Sequence, residues 1–367
     1  MKIAILHDWL NHKRGGAENV LFELAEMYPK ADIFTLVYNP PKFDDKLGHR
    51  IIKTSGLQYF PAFIKKRPKL LLPFIRRAVG GLKLEGYDLV ISSSTAWVKN
   101  ANIKKGTRHV CYCYSPARML WDSWPKYMLE MNLNTISRFY IVNLASSLRL
   151  WDYYQSQKAV EFIAISGFIS DRIKKFYGQP SKVIYPPVDI SKMAAVNTRN
   201  RQEYYLVLSV MSKYKNIELA IEAFIANGLK LVVAGDGPDL VRLKKLASSH
   251  PNISFEGRVS ADQKSQLMRE AKGFIFCNIE DFGITMVESI ASGTAVLALR
   301  GGGATEIISD GVTGMFFDKP TEGSLNRAIV RFNKAFSGDY KLNNKYLASK
   351  FGRDRFVSQL RGFIDGE

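Results

Sequence analysis

The chain has 367 residues, 46% of them hydrophobic and 23% charged, which is the composition of a folded protein rather than a disordered one. This length exceeds one typical core and predicts two domains of ordinary size. Lys and Arg number 52 against 34 Asp and Glu, a net charge of +18, so an anionic partner is expected. The apolar runs are too short to span a bilayer, and residues 1–6 already follow a strand pattern. We therefore expect neither a transmembrane segment nor a signal peptide.

Short β-rich runs alternate with helical patterns through the first half of the chain. A helix is predicted over residues 17–27, and strands are predicted over residues 2–6, 32–36, 50–54, 88–92, 108–113, 161–165 and 182–185. Pro186, Pro187 and the polar segment 191–201 then interrupt this pattern. The interruption predicts a domain boundary, with a first domain over residues 1–187.

A second set of strands is predicted over residues 204–210, 230–234, 253–256, 273–277, 295–299 and 315–317. Alternating apolar strands and helices predict parallel sheets covered on both faces, so we expect an α/β fold of two Rossmann-like domains. Ligands should bind beyond the carboxyl ends of the strands, in a cleft between the domains. The second domain is predicted over residues 188–342. Residues 343–367 are predicted to end the chain as a helix that packs back on the first domain.

Three cysteines, Cys111, Cys113 and Cys277, are too few for a disulfide framework. Cys111 and Cys113 alternate along one predicted strand and have no second pair with which to form a zinc site. We expect all three to be reduced core residues of a cytoplasmic protein.

The positive charge is concentrated in the first half of the chain. Residues 1–190 hold 28 basic and 15 acidic side chains, and residues 46–84 hold ten basic side chains and no acid. The cations Lys65, Lys66, Arg67, Lys69, Arg76 and Arg77 are interleaved there with aromatic residues and leucine. Such a segment suits an anionic membrane surface, where each cation contributes about 1 kcal/mol. Nucleic acid and a plain solvated basic face are the alternatives, and we favour the membrane because no nucleic-acid motif is found.

Glu280 and Glu288 stand eight positions apart around the start of one predicted helix. Glu280 lies in the loop after the strand at 273–277, and Glu288 lies early in the helix that follows. A strand that feeds a helix amino terminus offers unpaired N–H groups to an anion. Two carboxylates flanking that point can accept hydrogen bonds from paired hydroxyls, such as those of a sugar and a ribose. The alternative is that both acids only favour the start of the helix.

Other strand ends carry glycines or a lysine. Gly15 and Gly16 precede a helix, Lys215 lies in the turn at 211–216, and Gly235 opens a tight turn at 235–238. Gly301–303 repeats the arrangement of strand, glycine turn and helix. Glycine lets the backbone approach a ligand closely, and a turn lysine can neutralise a diphosphate. Three of these loops converge at one sheet edge and predict a cradle for a nucleotide diphosphate.

These residues, in this order, resemble the family 4 glycosyltransferases of the GT-B fold, especially bacterial members that build surface polysaccharides on lipid carriers. The resemblance covers nearly the whole chain and is most specific at Glu280 and Glu288, which match that family's E-x7-E motif. Supporting matches lie at residues 15–18, 87–94, 115–118, 121–122, 185–189 and 310–314.

The resemblance implies that the first domain binds the acceptor and the second binds a nucleotide sugar. It implies that Glu288 binds the ribose hydroxyls, and that Glu280 binds the donor-sugar hydroxyls beside the diphosphate ligand Lys215. Together with Tyr114, Glu280 and Lys215 form the expected catalytic set. The remaining donor-binding residues implied are Gly15, Gly16, Gly235, Arg258, Gly283, Ile284, Thr285 and Met286.

The resemblance also implies retaining chemistry without a metal or other cofactor, in which the departing phosphate oxygen deprotonates the acceptor hydroxyl. Two positions depart from the family pattern. Val210 stands where an arginine usually accompanies the lysine, and Tyr114 stands where a histidine usually precedes Ser-Pro. Lys213, Arg258 or Arg300 could replace the missing arginine, with Arg258 expected near the nucleotide base.

The function predicted from the sequence is a hexosyltransferase, with mannose as the favoured sugar, acting on a lipid-linked glycan at the cytoplasmic membrane in cell-surface polysaccharide synthesis. One alternative is a degenerate paralogue that binds a sugar nucleotide or a partner without turnover, prompted by Val210 and Tyr114. Another is a sugar-nucleotide epimerase of the same fold, which leaves the basic first domain unexplained.

Overall fold

A computed structural model describes residues 1–11, 15–65, 68–122, 124, 128, 134–158, 160–190, 201–337, 340, 342 and 345–366. The chain folds into two compact units. The first unit comprises residues 1–186 and 356–367, and the second comprises residues 187–355.

The first unit is built on a seven-stranded parallel sheet. In chain order its strands are β1 Ile3–His7, β2 Asp32–Thr35, β3 Ile52–Thr54, β4 Leu89–Ser94, β5 Arg108–Cys113, β6 Val160–Ala164 and β7 Ser181–Val183. Their order across the sheet is β3-β2-β1-β4-β5-β6-β7. In β1, Ile5 lies between Ile33 of β2 and Ile91 of β4. Every residue of β4 is buried, as expected for a strand covered on both faces.

Helices connect and cover these strands. They are α1 Gly16–Met27, α2 Asp44–Leu47, α3 Ala62–Lys65, α4 Pro68–Leu71, α5 Ile75–Gly80, α6 Thr135–Ser156 and α7 Gly167–Tyr177. A 3-10 turn over Val98–Asn100 follows β4. Local chemistry fixes the ends of α7: the Ser166 hydroxyl accepts a hydrogen bond from the N–H of Ile169 at 3.2 Å, and Gly178 ends the helix at a φ of 67°.

The second unit has a six-stranded parallel sheet of the same design. Its strands are β8 Tyr204–Leu208, β9 Lys230–Ala234, β10 Ile253–Gly257, β11 Gly273–Phe276, β12 Val296–Leu299 and β13 Gly314–Phe317. They lie in the order β10-β9-β8-β11-β12-β13. The helices are α8 Ile217–Asn227, α9 Leu240–Leu246, α10 Ala261–Glu270, α11 Ile284–Ala291, α12 Ala304–Ile307, α13 Glu322–Ala335 and α14 Lys345–Phe351. The two parallel sheets confirm the predicted fold class.

The C-terminal helix predicted over residues 343–367 is not continuous. The described segment forms two helices, α14 and α15 Arg353–Asp365, which separate at Gly352. The carbonyl of Phe351 accepts the N–H of Val188 at 2.9 Å, and Val188 pairs with Gly352 in an isolated parallel bridge. In a continuous helix the Phe351 carbonyl would instead accept a hydrogen bond from an N–H group of the same helix. The helix α15 packs on the first unit, where Phe356 contacts the ring of Tyr112 at 5.7 Å.

All three cysteines are buried free thiols, as predicted. Among the described residues, no helix is both long enough and apolar enough to cross a membrane.

Candidate functional site

The two central strands of the second sheet, β8 and β11, are neighbours whose connections leave toward opposite edges. At such a reversal of strand order the loops separate and leave a crevice beyond the carboxyl ends, where ligands bind in open α/β sheets. The loops that begin there are residues 209–216 after β8 and residues 277–283 after β11. These are the loops that contain Lys215 and Glu280.

Lys215 and Glu280 join the two loops at this crevice. The Lys215 ammonium is paired with the Glu280 carboxylate, and their side chains remain 15% and 21% exposed. Asn278 donates from Nδ2 to the same Glu280 oxygen at 3.3 Å. Asn216, a non-glycine residue at a positive φ of 53°, donates from Nδ2 to the carbonyl of Cys277 at 3.3 Å. The pair is therefore oriented from both loops and stays accessible to a ligand.

The glycine turn after β12 supports the Glu280 loop from behind. The N–H of Gly303 donates to the Glu280 carbonyl at 2.9 Å. A Cβ added at Gly302 would lie 2.2 Å from that carbonyl oxygen, and one at Gly303 would lie 2.1 Å from the carbonyl oxygen of Phe282. Any side chain at these two positions would displace the loop. We predicted from the sequence that this glycine turn approaches a ligand. In the structure the turn packs against the loop that contains Glu280 and supports it.

Helix α11 begins immediately after this loop, at Gly283 with a φ of 101°. The N–H of Met286 donates to the Gly283 carbonyl at 3.0 Å and Met286 is fully buried. Ile284 and Thr285 stand in the first turn, where helical N–H groups have no partner within the helix. The first turn of α11 therefore offers two N–H groups to an anion, while Met286 serves packing.

Glu288 lies in α11, one turn after Ile284, and is also paired with a lysine. Lys264 of α10 donates from Nζ to Glu288 Oε1 at 2.6 Å, with the two side chains 24% and 13% exposed. The position of Lys264 is set by the capping box that starts α10, in which Ser260 and Gln263 exchange hydrogen bonds of 2.9 and 3.2 Å. Each glutamate therefore has its own lysine partner, and the sequence had indicated only Lys215.

Two further loops pack side by side at the same edge. The N–H of Gly235 donates to the Gly257 carbonyl at 2.7 Å, and a Cβ on Gly235 would lie 1.9 Å from the Ser209 carbonyl oxygen. Gly235 has a φ of 131°, which also favours glycine. Arg258 follows β10 and is exposed, and β9 and β8 separate its strand from β11. It lies beside the crevice rather than in it, which is compatible with its predicted place near a base.

The arginine that the sequence lacks at this edge has three candidate substitutes. Val210 is 60% exposed in the loop after β8. Arg300 bonds Asp318 at 2.7 Å and Asp310 at 3.3 Å, and hydrogen bonding to Asp318 raises the pKa of its guanidinium. These contacts hold Arg300 toward β13, away from the crevice between β8 and β11. Lys213 is exposed in the same 3-10 turn as Lys215, Lys213–Lys215. Lys213 is the better placed substitute.

The carboxyl edge of the first sheet has a different chemistry. The Tyr114 hydroxyl donates to the carbonyl of Ala17 at 3.0 Å and bonds the Ser93 hydroxyl at 2.9 Å, while burial raises the pKa of Tyr114 well above its usual value. His7 Nδ1 bonds the same Ser93 hydroxyl at 3.0 Å. Tyr114 therefore acts as a neutral hydrogen-bonding group.

The glycine pair before α1 is closed by a side chain. Glu18 accepts the N–H of Gly15 at 2.7 Å, and its other oxygen lies 3.8 Å from His7 Nε2. Burial raises the pKa of Glu18. Hydrogen bonding to His7 and the remaining contacts lower the pKa by a larger amount, so its net shift is downward. Gly16 is the first residue of α1. Sequence reasoning missed this group, although His7 and Ser93 lie at the carboxyl ends of β1 and β4 and Glu18 lies in the first turn of α1.

Asp8, the next residue after β1, is fully buried. Its carboxylate accepts the N–H groups of Thr95 at 2.5 Å, Ala96 and Trp97 at 2.9 Å, and Val98 at 2.8 Å. This acid therefore caps the turn after β4 from within the core.

The predicted basic surface is described in part. Arg76 and Arg77 are exposed and line a shallow depression with Pro73 and Asn102. Lys65 donates to the carbonyl of Gln58 at 2.9 Å. Lys66 and Arg67 lie outside the described residues, and Lys69 is described only as part of the backbone of α4.

Comparisons with known proteins agree with this geometry. A profile described as "Glycosyltransferase Family 4" matches residues 14–192, and one described as "Glycosyl transferases group 1" matches residues 189–339. The structure of Anabaena HepE in complex with UDP superimposes over 100% of both chains with a TM-score of 0.67 and 17% identity. The chain therefore has the GT-B fold of nucleotide-sugar-dependent glycosyltransferases.

Sequence relatives give the same class. Alpha-1,3/1,6-mannosyltransferase ALG2 of Dictyostelium discoideum is 22% identical over 96% of both chains. Alpha-monoglucosyldiacylglycerol synthase of Streptococcus pneumoniae is 35% identical over 136 residues, which are 34% of this chain and 31% of the relative. A match to an uncharacterized glycosyltransferase of Methanocaldococcus jannaschii spans 54% of each chain. The two profiles together match residues 14–339, so the chain is similar to family 4 glycosyltransferases over most of its length.

Proposed function

We propose that the protein transfers a hexose, with mannose as the favoured sugar, from a nucleotide diphosphate sugar to a lipid-linked glycan with retention of configuration. The main observation behind this proposal is that Glu280 and Glu288, near the reversal of strand order, are each paired with a different lysine. The proposed role is in the synthesis of a cell-surface polysaccharide. The mannosyltransferase and diacylglycerol-linked activities in the relatives' names support the sugar and the lipid acceptor.

In this proposal the donor binds along the carboxyl edge of the second sheet. Glu288 accepts hydrogen bonds from the ribose hydroxyls, and Lys264 holds its carboxylate in place. Glu280 accepts hydrogen bonds from the donor-sugar hydroxyls. The HepE complex with UDP supports a nucleotide in this kind of fold.

The diphosphate needs positive charge, and Lys215 supplies it by exchanging partners. In the structure its ammonium is paired with the Glu280 carboxylate. A diphosphate that enters the crevice competes for the ammonium, and the carboxylate released then becomes available to the sugar. Lys213 provides the second cation in place of the arginine absent at Val210, and the N–H groups of Ile284 and Thr285 complete the anion site.

The transfer step needs no group beyond the two substrates and these residues. The bond between the anomeric carbon and the phosphate oxygen breaks, and the acceptor oxygen forms a bond to that carbon on the same face. The acceptor proton passes to the departing phosphate oxygen. Lysine ammonium groups and helix N–H groups stabilise the negative charge that develops on this oxygen, the role a metal ion fills in other enzymes.

The role of Lys213 is tested by its replacement. Lys213→Ala should weaken donor binding by about 10- to 100-fold, because a charged hydrogen bond to phosphate is worth about 1.5–3 kcal/mol. Lys230→Ala is the matched control, since this exposed lysine begins β9 at the opposite end of the strand. Titration calorimetry with nucleotide sugars measures both, and equal affinity in the two variants would exclude Lys213 from the site.

The second candidate function is a degenerate paralogue that binds the sugar nucleotide without turnover, and the exposed Val210 favours it. Incubation of the purified protein with labelled UDP- and GDP-sugars and bacterial membranes separates the two. Transfer of label to lipid, unaffected by a chelator, is the expected result. Binding of a donor without transfer or hydrolysis, for every donor in the panel, would establish the paralogue instead.

The proposal places the first unit on the anionic cytoplasmic face of a membrane, where the lipid-linked acceptor resides. The exposed Arg76 and Arg77 and the absence of acids over residues 46–84 support this placement. Flotation with phosphatidylglycerol vesicles should therefore decrease in Arg76→Gln/Arg77→Gln. Unchanged flotation would contradict the placement and leave the donor site untouched.

A further inference from the structure

Helix α6 of the first unit has apolar residues on two opposite faces. One face packs on the core through Ala145, Leu148, Trp151 and the buried Asp152. A helix that covers a core on one side normally presents charged and polar residues on the other. The opposite face of α6 instead presents Ile136, Phe139, Tyr140, Leu150 and Tyr154.

These outward residues form one continuous stripe. Positions 136, 140, 143, 147, 150 and 154 recur at intervals of three or four, so they share one face of a helix about 33 Å long. The exposed fractions are 83% for Ile136, 74% for Phe139, 56% for Tyr140, 58% for Leu150 and 65% for Tyr154. The remaining two positions, Asn143 and Ser147, are uncharged. An apolar stripe of this length indicates a surface that is covered in the working protein.

No exposed residue of α6 is acidic. Its single carboxylate, Asp152, points inward and accepts hydrogen bonds from Asn100, Trp121 and Tyr177 at 2.7 to 2.9 Å besides its ion pair with Lys99. The whole stretch of residues 1–190 has a surplus of 13 positive charges, 28 minus 15. The stripe thus lies on a cationic unit and lacks any group that would repel an anionic surface.

A second exposed apolar group belongs to an adjoining element. Tyr59, Phe63, Leu70 and Phe74 are 88%, 64%, 48% and 44% exposed. They lie in the basic segment that leads into α5, and both α5 and α6 pack against the turn Val98–Asn100. Leu71 and Ile75 share one hydrophobic core with Leu148 and Trp151. The two exposed groups are therefore carried by elements packed on the same layer of the unit.

We propose that α6 lies in the plane of an anionic bilayer, with Ile136, Phe139, Tyr140, Leu150 and Tyr154 embedded among the lipid headgroups. This inference rests on the proposed placement of the first unit at a membrane. It adds α6, as an apolar membrane contact, to the contact proposed for the basic segment. Charge complementarity favours lipid over a second copy of the chain, because two copies would bring cationic faces together without acids to pair them.

Sedimentation with vesicles tests this contact on the full chain. The variant Ile136→Ser/Phe139→Ser/Tyr140→Ser should bind vesicles of phosphatidylglycerol and phosphatidylcholine at least about tenfold more weakly than the wild type. The matched control is Val241→Ser/Val312→Ser/Val330→Ser, which removes side chains that are 81%, 63% and 58% exposed in the second unit. The control should bind like the wild type. Equal binding by the α6 variant and the wild type overturns the proposal.

A labelled cysteine gives a second readout that does not depend on the stability of the triple variant. The three native cysteines are buried, so an environment-sensitive dye reacts selectively at Phe139→Cys or at the control Val330→Cys. The Phe139 label should shift to the blue on anionic vesicles, and the Val330 label should not. Identical spectra with and without vesicles at Phe139 overturn the proposal.

The experiment also separates this inference from the proposals on which it builds. If Arg76→Gln/Arg77→Gln loses vesicle binding while the α6 variants keep it, the basic segment alone makes the contact and the role of α6 is refuted. A dimer that the α6 variants abolish, without vesicle binding by the wild type, would assign the stripe to self-association and refute the lipid contact. Donor binding should be unchanged in the α6 variants, since α6 and the donor site lie in different units, and urea unfolding checks that the first unit of each variant is folded.

Discussion

The carboxyl edges of the two sheets use acidic residues in opposite ways. At the second sheet, Glu280 and Glu288 stay partly exposed and each is paired with a lysine. At the first sheet, Asp8 is fully buried and its oxygens are occupied by backbone N–H groups. Both sheets therefore place acids beside the carboxyl ends of their central strands, and burial distinguishes the acid that supports the fold from the acids that stay accessible.

The two units also differ in where their positive charge lies. In the second unit Lys215 and Lys264 are partly buried and paired with Glu280 and Glu288. In the first unit the described cations Arg76 and Arg77 are exposed, and the aromatic side chain of nearby Phe74 is exposed as well. The described positive charge is therefore paired with acids at the candidate site of the second unit and open to solvent on the first unit.

Among these substitutions, the largest effect on stability is expected at Asp8. Asp8→Asn places an amide NH2 against backbone donors, so the free energy of unfolding of the first unit should fall by about 3–5 kcal/mol. Donor affinity should stay unchanged in the folded variant. Urea unfolding and calorimetric titration measure the two quantities, and a loss of donor affinity with unaltered stability would reverse the assigned roles.

The glycine turn of the second unit should be nearly as sensitive. Gly302→Ala combines a φ of 59° with a Cβ 2.2 Å from the Glu280 carbonyl oxygen, so the variant should lose about 2–4 kcal/mol and bind the donor more weakly. Gly311→Ala is matched in backbone strain, at a φ of 75°, but no atom lies within 4 Å of the added Cβ. It should lose about 1 kcal/mol and keep its affinity. Similar losses of affinity in both variants would show that crowding of the Glu280 loop is irrelevant.

Part of the fold and part of the candidate site could be predicted from the sequence. Alternating apolar runs predicted the strands, and the spacing of Glu280 and Glu288 predicted that the two acids lie on either side of a helix start, where the structure has them. Lys264 could not be found, because its contact with Glu288, 24 residues further along the chain, depends on how helices α10 and α11 face each other. The break at Gly352 could not be found either, since it depends on Val188, which is distant in sequence. Local periodicity contains no information about such pairings.

A smaller effect is expected from His109, a buried neutral group of the first unit. Burial, with the nearby charge of Lys99, lowers the pKa of His109 to about 3, and its Nε2 bonds the Ser92 hydroxyl at 2.7 Å. Between its unfolded pKa of about 6.5 and this value, only the unfolded chain binds the proton. Stability is therefore complete above pH ~6.5 and falls below it, by at most about 1.4 kcal/mol per pH unit for this one group.

The His109→Gln variant isolates this contribution. Its free energy of unfolding should change less steeply than that of the wild type between pH ~4 and pH ~6.5, as followed by urea unfolding at several pH values. Parallel curves for the two proteins would show that His109 does not titrate on unfolding.

Donor binding by Glu288→Ala tests the central claim most directly. Once a panel of UDP- and GDP-sugars has identified the tightest donor by thermal shift, calorimetry compares its affinity for the wild type, Glu288→Ala and the exposed control Glu322→Ala. Loss of two hydrogen bonds to a carboxylate, together with an unpaired Lys264, should weaken binding at least about 100-fold in Glu288→Ala alone. If Glu288→Ala folds normally and binds the donor as tightly as the wild type does, the glutamate pair is not the donor site.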